Sequence, residues 1–283
     1  MFDLHVHAAP SLFPRSTGGV GLAQAYRDAG ASGFLLKHHH GSSVEAAATL
    51  NELHPNLTVV GGVALNMFVG GVNPYAVDAA VATGARMVWL PTIHAAAHEK
   101  ACGCLGGFTF QQASSKLVLC EGIDLLDEDG KLWPQVFEVL EALNGTGVAL
   151  GTGHVGREEL FAVHAAIHEG NYDIPLVINH VFFDVPKLPM DDLARLHSER
   201  TYFEIVELST STHVGATTDA AVAAVLNNHP DWNWVLASDG GQAGNDSPPA
   251  RLRDFMQRLA QAGIPESRLE QYVEAHPRTL LNV

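Results

Sequence analysis

Positive charge is scarce in this chain. Sixteen lysines and arginines stand against 31 aspartates and glutamates, a formal net charge of -15 over 283 residues. That balance argues against nucleic acid and anionic membrane surfaces as partners, while a few local cations in a pocket still admit a small anion. Cysteine is scarcer still. Three thiols (Cys102, Cys104, Cys120) are an odd count, which speaks against a disulfide framework and for a reducing compartment. The spacing Cys102-x-Cys104 is too tight for a zinc ribbon, and no second pair lies nearby. No apolar run is long enough to span a bilayer. The opening residues already read as a strand, with no basic or apolar leader ahead of them, so the expectation is a cytoplasmic protein without a signal peptide. A dinucleotide turn is missing as well: GTGHVG (151–156) begins G-x-G but places His154 where a helix should start.

What the chain has in plenty is histidine, 16 in all, the commonest metal ligand. Two of them open the sequence in FDLHVHAAP. In a regular strand side chains alternate, so His5 and His7 point one way and Leu4 and Val6 the other. Seven more strand candidates follow, at 33–38, 57–65, 86–93, 148–154, 175–182, 202–208 and 234–239. Alanine-rich helical patterns separate them, among them 21–31, 73–85 and 158–170, several ending at glycine. Most steps between strand ends are roughly 26 to 31 residues, one βα unit each. The step from 93 to 154 is about twice as long. These features predict an α/β fold, a (β/α)8 TIM barrel, as a single domain over 1–283 with a long loop after strand 4. The surplus, 94–133, reads as a lid or insertion.

In such a barrel the active site lies at the C-terminal ends of the strands. Read in order, those ends carry His5 and His7, then Lys37 to His40, His94, His154, His180, Glu204 and Glu207, and Asp239. Polar, metal-competent residues therefore converge on one ring. Imidazole and carboxylate suit a borderline divalent cation; Zn2+ leads, with Mn2+ or Fe2+ as alternatives. Four histidines and an aspartate exceed the needs of a closed structural site, which points to catalysis. Alternation puts Lys37 and His39 on one face of their strand and His38 and His40 on the other. His39 is then a substrate or supporting contact, His94 a site or loop residue, and Arg15 a guanidinium at the mouth suited to carboxylate or phosphate. His98 and His213 are weaker candidates on active-face loops. Asp3 reads as a structural hydrogen-bonding group and Tyr75 as packing. His164 and His168 read as solvated helix face, and so do His54, His197, His229 and His276.

The chain resembles the amidohydrolase superfamily. H-x-H on strand one, single histidines ending strands five and six, an aspartate ending strand eight and the closing AHPRTLLNV carry the resemblance. It implies His5, His7, His154 and His180 as metal ligands and Asp239 as ligand and proton shuttle. Strand four departs from the pattern. Phosphotriesterase-like members carry there a carboxylated lysine that bridges two metals, others a glutamate; this chain has Pro91-Thr92-Ile93-His94. Lys37, ending strand two, is the nearest lysine. It reads as a carbamate bridge from an unusual strand, a clamp for a substrate carboxylate, or an ion-pair partner of Asp239 or Glu207. The metal count stays open at one or two.

This ligand set predicts hydrolysis at a carbonyl of a small, carboxylated molecule (an amide, cyclic amide or lactone) by metal-activated hydroxide. Asp239 moves the proton, and His180 or Lys37 polarises the carbonyl. Rival readings are non-oxidative decarboxylation of an aromatic acid, phosphoester hydrolysis, and an inactive binding barrel. The expected partner is a small-molecule substrate, with no nucleic acid and no membrane. Barrels of this size often pair, which leaves a homo-oligomer open.

Overall fold

A computed structural model describes residues 1–108, 113–115, 121–212 and 214–283. His213 and Cys120, and part of the 94–133 segment, lie outside the described residues. Each predicted strand is present: β1 (Phe2–Val6), β2 (Gly33–Leu36), β3 (Thr58–Val60), β4 (Gly62–Ala64), β5 (Met87–Trp89), β6 (Ala149–Gly151), β7 (Leu176–Ile178), β8 (Thr201–Val206) and β9 (Asn233–Ala237). All pairings are parallel, in the order β1-β2-β3 and β4 through β9. The run 57–65 is thus two short strands around Gly61. A side chain at Gly61 would strike the Ser43 backbone at 2.6 Å. Ser43 fills the break, its Oγ donating to the Leu36 carbonyl and accepting from Gly62 N. Nine strands therefore occupy eight barrel positions. The first and last meet through a parallel bridge, Val6 with Gly240, where His7 N donates to the Gly240 carbonyl at 2.9 Å. Helices follow the strands as an α/β barrel requires, and no described helix is long and apolar enough to cross a membrane.

A set of apolar side chains drawn almost wholly from the strands, including Leu4, Ala64, Trp89, Val177 and Val235, fills the barrel interior. A larger set, including Val88, Leu140, Val163, Phe203 and Phe255, packs strands against helices. Strict alternation fails in β1. Pairing with β2 runs Asp3 to Phe34 but Val6 to Leu36, so β1 carries one extra residue. Leu4 accordingly joins the interior, while Val6 packs outside with Leu22 and Tyr26. Leu4 and Val6 do not share a face, contrary to the simple period of two, because a bulge re-aims the residues around it. Asp3 faces the first helix. It accepts from Tyr26 Oη at 2.5 Å, Ser238 N at 3.0 Å and His5 N at 3.2 Å, which fixes the bulge. Two other side chains sit where the pattern did not place them. Tyr75 is 84% exposed, and His54 is buried with an Arg27 guanidinium N–H donating to its Nδ1 at 3.1 Å, a contact that local periodicity does not describe.

The segment after β5 is tied down at its base. Ala95 and Ile123 form a parallel bridge, Ala96 N donates to the Ile123 carbonyl at 2.8 Å, and Leu126 pairs with Leu132. Glu159 accepts from Leu125 N at 2.7 Å and from Gly156 N at 2.5 Å, joining the segment to the helix Arg157–Glu169. Within the same segment, Ser114 N donates to Leu12 O, in the connection after β1, at 2.9 Å.

Candidate metal centre

β1 delivers two imidazoles whose outer nitrogens are both spoken for. His5 Nδ1 donates to Glu204 Oε1 at 3.1 Å, and His7 Nδ1 donates to the Lys37 carbonyl at 2.8 Å. A carboxylate and a carbonyl only accept, so each ring carries its proton on Nδ1 and, when neutral, presents a lone pair at Nε2. Both Nε2 atoms turn toward one oxygen: His5 lies 3.4 Å and His7 3.2 Å from Asp239 Oδ1. Burial, reinforced by Arg15, lowers His7 to about 3. Burial works to raise Asp239, but His5 and His7 beside it hold its carboxyl well below the usual range. Three acceptors thus face one another with their atoms mutually within 4.8 Å. Such a grouping can hold a cation.

His154 and His180 continue the ring from β6 and β7. Their centroids are 4.9 Å apart, and His180 lies 6.0 Å from His5. Burial lowers His180 to about 4 and His154 well below its ordinary value, so both are neutral donors at neutral pH. Backbone strain collects here. Among the described residues five non-glycines have positive φ, and two are His180 (33°) and Asp239 (47°). Such conformations persist where surrounding contacts enforce them. For His180 the enforcing group is Glu204, whose Oε2 accepts from His180 N and Asn179 Nδ2, each at 3.0 Å. Glu204 therefore orients both His5 and His180. Burial would raise its pKa, yet His5, His180 and Lys37 outweigh that and hold it at about 2. The strand-end position of Glu204 was visible in the sequence, but its orienting role was not.

His154 depends on the glycine before it. Gly153 has φ +59°, and a Cβ there would meet the Leu90 carbonyl and come within 2.6 Å of Pro91 O. Gly153→Ala is expected to destabilise the protein by about 1–3 kcal/mol and to weaken metal retention, since His154 must move with it. Melting temperature and metal content, measured together, check this.

Lys37 is fully buried, its Nζ 5.1 Å from the centre of the Trp89 ring and without a hydrogen-bond partner. It forms no ion pair with Asp239 or Glu207; Glu207 instead pairs with Arg251 and Arg258. The ion-pair alternative for Lys37 is set aside. Burial lowers Lys37 to about 8 against the pull of Glu204 and Asp239. His39 stacks on His7 at 5.0 Å and bonds Thr92 Oγ1 at 3.0 Å. His38 and His40 stack on each other, away from them. Arg15 reaches the mouth with Nε donating to Ser11 Oγ at 3.3 Å, and no described carboxylate lies within ion-pair distance of it. Burial lowers it to about 10 while Asp239 raises it. His94 lies on the rim, its Nδ1 accepting from Met67 N at 3.1 Å and its ring against Phe68. Of the weaker candidates, His98 is brought inward and buried, and His213 lies outside the described residues.

The donor chemistry fits a divalent cation: two imidazole nitrogens and a carboxylate converge, and His5 Nε2, His180 Nδ1 and Lys37 Nζ are buried without hydrogen-bond partners.

Comparison with solved structures establishes the fold. The chain is similar over 100% of its length to an amidohydrolase from Pseudomonas aeruginosa (12% identity, TM-score 0.62, 96% of that chain). It is similar in the same way to dihydroorotase from Saccharomyces cerevisiae in complex with 5-fluoroorotic acid (13%, 0.61, 84% of that chain). An organophosphorus hydrolase variant from Deinococcus radiodurans matches over 99% of the chain and 92% of its own (12%, 0.57). The fold is thus that of the superfamily the strand-end motifs resemble. No curated protein matches the chain. Residues 1–204 match one family model, which covers β1 to the middle of β8, and the chain therefore belongs to the family of unknown function DUF6282.

Proposed function

We propose that this protein is a metal-dependent hydrolase that attacks a carbonyl of a small, carboxylated substrate such as a cyclic amide, amide or lactone. The observation that carries the reading is the convergence of His5 Nε2, His7 Nε2 and Asp239 Oδ1, all acceptors, beside His154 and His180. His5, His7 and Asp239 would hold the cation. A divalent ion held there supplies Lewis acidity, bringing the pKa of a coordinated water toward neutrality. Asp239, kept ionised, takes the proton of the attacking water and returns it to the leaving nitrogen or oxygen. Glu204 keeps the His5 ring and the His180 backbone fixed while this occurs. Arg15 and Lys37 are the cations facing the site, and they suit a carboxylate on the substrate. Trp89 lies against Lys37 and Phe13 against Arg15, at 5.1 and 5.6 Å from the ring centres.

The test pairs metal analysis with turnover. Protein purified without chelator or histidine tag is expected to carry Zn2+ or another divalent metal and to hydrolyse members of a panel of lactones and cyclic amides. Chelation should reduce the rate to background, and added metal should restore it. Protein without metal affinity and without turnover would overturn the reading. CO2 release from aromatic acids in place of hydrolysis would move it to decarboxylation.

A further inference from the structure

His39 is a histidine whose tautomer the fold dictates. It follows β2, is buried, and packs its ring on His7 (centroids 5.0 Å apart) with Phe13 edge-on at 5.7 Å. Its Nδ1 meets the hydroxyl of Thr92, beyond β5, at 3.0 Å. Asn66, beyond β4, decides which of the two gives the proton. Its Oδ1 accepts from Thr92 N at 2.9 Å and His94 N at 3.3 Å, backbone groups that can only donate, so the amide has one orientation. Asn66 Nδ2 then donates to the His39 carbonyl at 2.9 Å and to Thr92 Oγ1 at 2.7 Å. Thr92 is fully buried, and His39 Nδ1 is the remaining partner of its hydroxyl among the described residues. Donating to Nδ1 satisfies the hydroxyl hydrogen, whereas accepting from Nδ1 would leave that hydrogen buried and unpaired. Burial, with His7, Lys37 and Arg15 beside it, keeps the His39 ring neutral. Its one proton therefore sits on Nε2, and no described residue accepts it.

We infer that His39 is a catalytic residue whose Nε2–H donates a hydrogen bond to the oxygen of the carbonyl under attack. Its wiring is the reverse of that of its neighbours. His5 and His7 donate from Nδ1 to protein acceptors and turn Nε2 toward Asp239. His39 spends its lone pair on the Thr92 hydroxyl and keeps an N–H, which makes it a donor and not a ligand. The ring stands directly on that of His7, next to the cation that His7 would hold. A preorganised neutral N–H stabilises the negative charge that develops on a carbonyl oxygen, with its proton staying on Nε2. It complements Arg15 and Lys37. Full charges hold a substrate carboxylate equally in ground and transition states, while a neutral donor gains most where charge appears during attack. Thr92 and Asn66 are positioning residues, fixing the tautomer from two neighbouring strand ends. This role rests on the hydrolase reading above and adds to it the group that meets the substrate oxygen of a lactone or cyclic amide.

The experiment has two arms, both on the zinc-loaded full chain. In 15N spectra of the histidine-labelled wild type, with each ring assigned by correlation to its own backbone, His39 is expected to show a pyridine-type Nδ1 and a pyrrole-type Nε2. In steady-state kinetics on a lactone or cyclic amide that the wild type hydrolyses, His39→Ala is expected to lose about 10²–10³ in kcat, with KM and zinc content near those of the wild type. His39→Gln keeps an N–H near the Nε2 position and should stand well above His39→Ala in kcat. Thr92→Val keeps the shape without the hydroxyl; it should lower kcat and mix the His39 tautomers. A pyrrole-type Nδ1 at His39 would overturn the proposal. So would a His39→Ala enzyme that keeps its kcat, or whose loss follows a loss of zinc. In each of these cases the hydrolase reading stands. A wild type that hydrolyses no lactone or cyclic amide would overturn both. The wild-type spectrum tests the tautomer even if a variant does not fold.

Discussion

Asp239→Asn is expected to lower kcat/KM by about a hundred- to ten-thousand-fold on any substrate the wild type hydrolyses, while most of the bound metal remains. The substitution keeps the size of the side chain and leaves His5 and His7, with their Nδ1 protons anchored on Glu204 and the Lys37 carbonyl, as the principal ligands. What it removes is a carboxylate that neighbouring imidazoles keep ionised, in reach of both Nε2 atoms and able to accept a proton and return it. Loss of such a general base and acid costs about 10²–10⁴ in rate. Metal content by elemental analysis and steady-state rates on the same preparation separate the two roles. Turnover within tenfold of wild type would remove Asp239 from the chemistry. Loss of all metal would make it chiefly a ligand.

Lys37→Met is expected to stabilise the metal-free protein at pH 7 by about 3 kcal/mol, and to do so in a pH-dependent way. Lys37 is fully buried with no partner for Nζ, so the folded state holds its ammonium at a cost in solvation. Burial lowers its pKa from the ordinary 10.5 to about 8. Between those values the unfolded chain binds more protons than the native one, so stability rises as pH rises through that window. Below about pH 8 the full penalty applies, and its size is about 3 kcal/mol. Methionine has similar length and no charge, so the variant should lack the rise. Denaturant unfolding at pH 7 to 10, with metal and bicarbonate removed, compares the two proteins; groups common to both cancel in the difference. Parallel curves would show that Nζ has a partner or solvent in the native protein. A stability gain combined with a loss of activity would place Lys37 among groups kept for function at the expense of the fold.

Both experiments depend on residues whose place was readable from the chain alone. The eight strand positions, their parallel order and the ring formed by His5, His7, His154, His180 and Asp239 follow from local pattern. Apolar runs at βα spacing define the strands, and the geometry of a parallel barrel sends strand ends to one rim. Even within β1 the pattern had a limit. The bulge held by Asp3 separates Leu4 from Val6, and nothing in five residues announces an extra residue whose cause is Tyr26 on the first helix and Ser238 on the far side of the barrel.

The sequence by itself determined which metal-competent side chains end the strands and at which level of the barrel they stand, because strand periodicity and strand-end position are short-range properties. The tertiary structure decided how those groups are wired. Glu204 reaches His5 across 199 residues of chain, Lys37 loses every ion-pair partner, and His98 arrives against His154 from a helix in the long connection. Each of these is set by where a loop or a distant strand comes to rest. That is fixed by long-range packing and hydrogen bonding, for which no spacing along the chain is a record.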